Sequence, residues 1–178
     1  MKNEKLDKPI SPEFQEDPKQ DVAVDLQYEE VVEEPIVNWD KPVKPESQRA
    51  HRSLAFHLAY AAHAFDYAVP LETIVENYSE GFGLVVGYDA FSIELARGAI
   101  DNRDELDKKV EPGLQNWKLD RLSWSVRIIL RLALWERLNK DTAFSVIINE
   151  AVELAHGFGE QDSYRIVNGL LDELFKLI

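Results

Sequence analysis

Cysteine is absent from the 178-residue sequence, which removes disulfide frameworks, thiol nucleophiles and Cys-bearing zinc sites, and every enzyme class built on them. Also missing is any apolar run approaching the roughly 18 residues of a membrane span. The opening MKNEKLDKPISPEF holds no continuous apolar stretch that could form a signal-peptide core. Together these absences read as a soluble, unexported, cytoplasmic protein. Positive charge is scarce: 20 Lys and Arg stand against 33 Asp and Glu, for a net charge of -13. So acidic a chain repels phosphate backbones and anionic lipid, and any nucleic-acid function must rest on a local basic patch. The length fits one domain, or two very small subdomains sharing an interface.

Composition changes sharply near Ser47. Residues 1–48 hold six of the eight prolines and none of the eight glycines, with six Lys against thirteen Asp and Glu. A segment so charged and proline-rich cannot bury enough apolar surface to offset its ordering entropy, so 1–48 reads as a disordered acidic extension and 49–178 as the folded domain. Within the extension, VDLQYEEVVEEPIVNW intersperses Val, Leu, Tyr and Trp39 among carboxylates. It is either a solvated leader or a segment that docks on a basic, partly apolar groove.

From Arg49 onward the apolar periodicity is helical and no strand alternation occurs, which predicts an all-α fold of about seven helices. Ser47 is placed to cap the first, to about Phe65, and Pro70 suits the first turn of a second that ends near the glycines at 81–83. Asp89 caps a third through Ile100, and a fourth spans Asp104 to Val110 before Pro112-Gly113. Ser123 caps a fifth to Leu138, Asp141 or Thr142 opens a sixth that stops at Gly157, and Asp162 or Ser163 opens a seventh to the C-terminus. At 100° per residue, the fifth places Val126, Ile129, Leu130, Ala133 and Leu134 on one side and Trp124, Ile128, Leu132 and Trp135 nearly opposite. A helix apolar on both sides belongs between two layers, with Arg127 and Arg131 emerging together along one seam.

Catalysis finds no support. His51, His57, His63 and His156 are not spaced as metal ligands, and no nucleophile has a base at a meaningful distance. Glu150 and Glu153 share a helix face, which solvation explains better than acid–base work. The glycines at 157–159 follow no strand and lack a phosphate-loop lysine, so they read as a helix end. No cofactor or metal site is expected.

The first helix carries two stripes. Leu54, Leu58, Ala61 and Phe65 form one, expected to face the core. Arg49, Arg52, Phe56, Tyr60 and His63 recur at steps of three and four on another. Guanidiniums beside aromatic rings are what single-stranded RNA needs, since cations meet phosphates and rings stack unpaired bases. Phe56 and Tyr60 can equally pack against a neighbouring helix.

The run Val146 to Ala155, then Phe158-Gly159, Asp162-Ser163 and Val167-Asn168-Gly169-Leu170-Leu171-Asp172, closely resembles the C-terminal signature of the NusB family. Upstream, Asn116-Trp117, Leu119 to Ser123 and Ile129 to Ala133 resemble that family's entry into its central helix, and Ala55 and Tyr60 its first helix. The resemblance covers about residues 49–178. It implies an all-helical fold of two small packed subdomains and a role as an adaptor rather than an enzyme. With the ribosomal protein NusE, such adaptors bind the boxA element of nascent RNA and make RNA polymerase, joined by other Nus factors, resistant to termination, notably on ribosomal RNA operons. The matching RNA-surface positions are Arg49, Arg52 and Tyr60, joined by Gln161, Asp162 and Ile166 in the loop and helix start. Phe56 would add stacking, and Arg127 and Arg131 positive charge. Gln48, Ala50 and His51 stand where the family is more basic, and Ile166 where it often has an aromatic, so both changes imply weaker RNA binding. Relatives of this type occur as monomers or dimers. A protein-interaction scaffold with little RNA affinity, docking partners through its acidic tail, is the alternative reading.

Overall fold

Seven helices account for most of the chain in a computed structural model that describes residues 44–114 and 118–177. Helix α1 (Gln48–Ala64) starts where Ser47 was expected to cap it, the hydroxyl accepting from the Ala50 amide at 3.1 Å. Pro70 stands immediately ahead of α2 (Leu71–Phe82), which ends at Gly83 in the left-handed region, φ 62. No side chain other than hydrogen relieves the Cβ clash there, so glycine makes a natural stop. Helices α3 (Phe91–Asp101) and α4 (Arg103–Val110) follow, and a 3-10 turn at Glu111–Leu114 ends the latter around Pro112. A second such turn, Leu119–Arg121, leads to Ser123, whose hydroxyl accepts from Val126 N at the start of α5 (Trp124–Asn139). Helices α6 (Phe144–Phe158) and α7 (Ser163–Leu174) complete the fold, and no strand occurs among the described residues.

Two starts differ from expectation. Ala90 and Ala143, not Asp89 and Asp141 or Thr142, occupy the cap positions of α3 and α6, and neither helix has a side-chain cap. Both begin where their apolar face reaches the core, at Ile93 and Ile147; packing rather than capping sets these boundaries. The acidic extension lies outside the described residues as far as position 43, as do Asn116 and Trp117. Among the described residues no helix is long and apolar enough to cross a membrane.

Helix α5 is the central element among the described helices. It packs against α1, α3, α4, α6 and α7. Accordingly Val126, Ile129, Leu130 and Leu134 are buried together with Ile128 and Leu132 from the opposite face. One continuous apolar core results, to which all seven helices contribute.

The expected core stripe of α1 is corrected. Of Leu54, Leu58, Ala61 and Phe65, only Leu58 is fully buried, and Phe65 is 53% exposed. The buried face is Arg52, Ala55, Phe56, Ala59 and Ala62, rotated by about 100° around the helix. Small residues there let α1 approach α3, which answers with Ala96 and Ala99. Close approach recurs between α3 and α5, where a Cβ at Gly98 would fall inside the contact distance of the Trp135 indole. We predict that Gly98→Ala destabilises the fold by about 1–3 kcal/mol, although alanine is the better helix former by about 1 kcal/mol. Denaturant titration checks it, and a more stable variant would show that Trp135 can turn away freely.

Candidate nucleic-acid interface

The four arginines expected at the interface all meet carboxylates. Arg49 lies on the first turn of α1, 61% exposed, with Nε and Nη2 on Glu150 of α6 (3.0 Å at the closest) and Nη1 on Glu153 at 3.3 Å. One turn on, Arg52 is buried. Its Nε donates to Glu136 Oε2 at 2.9 Å and its Nη2 to Oε1 at 2.6 Å, a two-pronged pair between α1 and α5. Arg127 and Arg131 share a seam as their spacing implied, but Asp107 of α4 fills it. One of its oxygens accepts from both Nη2 groups at 2.7 Å and the other from Arg131 Nε at 2.7 Å, while Arg131 Nη1 donates to the Tyr67 hydroxyl at 2.8 Å. Thus Arg49 stands at the surface, whereas Arg52, Arg127 and Arg131 brace α5 from behind.

These pairings set the charge states. Burial pushes the Asp107 carboxyl up, but hydrogen bonds and attraction from Arg131 and Arg127 outweigh it and hold the group below the ordinary carboxylate range. Sequence reasoning missed Asp107 and Glu136. A lone carboxylate within the apolar run of α5 was the available signal for Glu136, since such a group needs a buried cation. Asp107 had no comparable mark, because α4 is polar almost throughout.

Aromatic rings form a continuous row along α1, from the end of α6 to the start of α5. Phe56 is buried and stacks on Phe158 at the end of α6, centroids 4.6 Å apart at 12°. Tyr60 follows at 5.8 Å from Phe56 and is 45% exposed. Next comes His63, whose ring lies 3.8 Å from Trp124, and Arg127 covers Trp124 at 4.1 Å. Of the two outcomes open for this stripe, Phe56 packs inward and Tyr60 faces solvent. Trp124, expected on a buried side of α5, is 43% exposed because it occupies the first position of the helix, beyond the reach of the layers that cover later turns. His63 is held below its ordinary range by burial first and then by Arg131 and Arg127, with Asp66 opposing. It therefore sits in the row as a neutral ring.

Gln161 and Asp162 occupy the α6–α7 turn and are exposed, Asp162 with a left-handed backbone (φ 67) and paired to Arg165 at 3.2 Å. Ile166 is half-buried and packs on the core. Against this turn, the His156 and Tyr164 rings stack at 4.2 Å. Among the described residues no group of three or more His, Asp or Glu is arranged to hold a metal ion.

Known proteins share this fold. The NusB family model matches residues 49–176. The transcription antitermination protein NusB of Macrococcus caseolyticus is 37% identical over 133 residues, covering 75% of this chain and 96% of that protein. The T. maritima NusB structure shares the fold at a TM-score of 0.64 and 31% identity, covering 73% of this chain and 91% of that one. A complex of the antitermination factors NusB and NusE with dsRNA contains a chain of the same fold, at a TM-score of 0.61 and 22% identity, covering 73% of this chain and 96% of that one. Since the family match runs from the start of α1 to the end of α7, through every helix that supplies the aromatic row and its arginine braces, the chain belongs to the NusB family.

Proposed function

We propose that the chain is a transcription antitermination adaptor that binds boxA-type single-stranded RNA together with the ribosomal protein NusE. In this role it modifies RNA polymerase with other Nus factors, notably on ribosomal RNA operons, in the bacterial cytoplasm. It acts by binding and positioning, without catalysis. The observation that carries the reading is that exposed Arg49 and the open ring of Tyr60 share one face of α1, about three turns apart, in a chain of this family. Arg49 holds a phosphate, Tyr60 stacks a base with Phe56 behind it, and Gln161, Asp162 and Ile166 border the path. Arg52, Arg127 and Arg131 serve from beneath as supports.

An energetic consequence follows from the pairing of Arg49. To meet a phosphate it must exchange the carboxylates of Glu150 and Glu153, which cancels part of the gain. Affinity of the chain alone is therefore low, and a basic partner such as NusE supplies the remaining attraction. This cost is also what favours the second reading, a protein-interaction scaffold that docks partners through its acidic tail.

Fluorescence anisotropy of a labelled boxA-type RNA, titrated with and without NusE, tests the choice. Arg49→Ala is expected to flatten the slope of log affinity against log salt by about 0.7, the share of one phosphate on a single strand. Tyr60→Ala is expected to cost about 1–3 kcal/mol of binding, as for one lost base–aromatic stack. Absence of binding by the folded wild type in both conditions would leave the scaffold.

A further inference from the structure

A groove of about 560 Å³ opens at the start of α1, lined also by the first turn of α3, the link from α5 to α6 and the first turn of α6. Gln48, the first residue of α1, belongs to its lining. Its apolar surface comes from half-buried Phe91 and from Val146, which is 44% exposed. Two cations reach it, and both are already engaged: Arg52 with Glu136, and Lys140 with Glu94 at 2.6 Å. Asp89 and Asp141 line it too. Both are exposed, with no ion pair or hydrogen bond to any described residue. The groove thus offers an apolar surface and two unmatched negative charges.

That combination selects the occupant. A phosphate would meet two free carboxylates and no free cation. An aromatic group with cations close by in sequence satisfies both features, and such a segment lies in this chain just ahead of α1. Residues 38–44, NWDKPVK, hold Trp39 and Val43 with Lys41 and Lys44 against the one carboxylate of Asp40. These lysines are the only Lys or Arg between positions 20 and 48, in a stretch otherwise acidic. The sign of the chain therefore reverses locally, where complementarity to Asp89 and Asp141 requires it. Lys44 is itself exposed and unpaired among the described residues. Reach is sufficient, since Trp39 precedes Gln48 by nine positions, up to about 30 Å of extended chain. On so short a tether the local concentration is on the order of 1 mM, so even a contact of millimolar affinity is half occupied.

We propose that residues 38–44 fold back onto this groove within the same chain, seating the Trp39 indole against Phe91 and Val146 and bringing Lys41 and Lys44 to Asp89 and Asp141. An indole suits the place, having a large apolar body and one N–H that can donate to a carboxylate. The segment precedes residue 49, where the family match begins, so the contact is an addition of this chain to the shared fold. It makes no use of RNA binding and stands apart from that reading.

Acrylamide quenching of Trp39 in the full-length protein tests the contact, the Trp39 signal being the difference between wild type and Trp39→Phe. A peptide of residues 38–44 gives the freely exposed reference. Trp39 should be shielded relative to the peptide, and to the same degree at every protein concentration. Asp89→Lys with Asp141→Lys should expose it, shifting the ratio of docked to open chain by about five-fold, the upper end of what one exposed ion pair contributes. Lys41→Glu with Lys44→Glu should do the same. All four changes together should restore the shielding, because the reversed charges match again. Neither aspartate caps a helix, so unchanged helical circular dichroism is expected throughout. A Trp39 quenched as readily as the peptide would overturn the proposal. So would shielding that survives the aspartate reversal, which would put the indole elsewhere on the molecule. Shielding that fades on dilution would overturn it as well, by making the occupant the segment of a second copy.

Discussion

Truncation of Glu136 to alanine is expected to lower the unfolding free energy by about 3–5 kcal/mol, the largest effect of any single change considered. Glu136 is 1% exposed, and its two oxygens take both prongs of the Arg52 guanidinium at 2.6 and 2.9 Å. Without it, a buried guanidinium keeps only Glu150 Oε2, at 3.7 Å, as a counter-charge, and the lost hydrogen bonds cannot be replaced by bulk water. Hydrogen bonding to Glu136 is the leading reason the Arg52 pKa is raised, so shedding the charge offers no escape. The double variant Arg52→Met with Glu136→Leu removes both charges and should recover much of the loss, because two desolvation penalties disappear together. Urea titrations of the three proteins at one pH measure this. A loss below about 1 kcal/mol for Glu136→Ala would place the pair among weakly contributing surface bridges and contradict the burial.

Asp107→Asn should be the next most damaging change, at about 3 kcal/mol near neutral pH, and its effect should depend on pH in a defined direction. The carboxylate of the folded protein holds Arg127 and Arg131 and has a depressed pKa, so acid must protonate it before the pair breaks. A group depressed by folding contributes in full above its unfolded value, about 3.9 for Asp, and its contribution fades as pH falls through the lower folded value. The stability gap between wild type and Asp107→Asn should therefore stay constant from about pH 7 to 5 and close below about pH 4. His51 and His57 also have lowered pKa values through burial, and destabilise both proteins alike as pH falls below about 6.5. That shared slope cancels in the difference. A gap that persists unchanged at the lowest pH where both proteins fold would show that Asp107 acts through shape, not charge.

Much of this architecture is legible in the sequence, and the exceptions have physical causes. Two-sided apolar patterning placed α5 between layers, and serines at 47 and 123 announced their helices because a capping hydroxyl works through contacts within three residues. The core face of α1 was not legible in the same way. Its buried residues are mostly alanines, whose hydropathy contrasts little with their surroundings, whereas the more hydrophobic Leu54 and Phe65 remain partly or largely exposed. Arginine roles were the least accessible. On a helical wheel Arg49 and Arg52 look alike, yet Glu136 lies 84 positions from Arg52 and Asp107 lies 24 from Arg131. Only the tertiary fold distinguishes a cation turned to solvent from one already spoken for. The turn at Gln161 and Asp162 was reached through family resemblance, while the His156–Tyr164 stack, formed across eight positions and two helices, has no local signature.

The ionic braces of α5 also act as locating pins. Apolar ridges on a helix repeat with every turn, about 5.4 Å, so a neighbour can settle one notch higher or lower and remake most of its contacts. Glu136 near one end of α5 and Arg127 with Arg131 nearer the other fix it to two different helices. A slip of one notch against α1 would strand Glu136, and against α4 it would strand Asp107. Because Trp124 rides on α5 while His63, Tyr60 and Phe56 ride on α1, the same pins keep the rings aligned as one straightedge. Charges paired between helices thus set the spacing of the rings along that row.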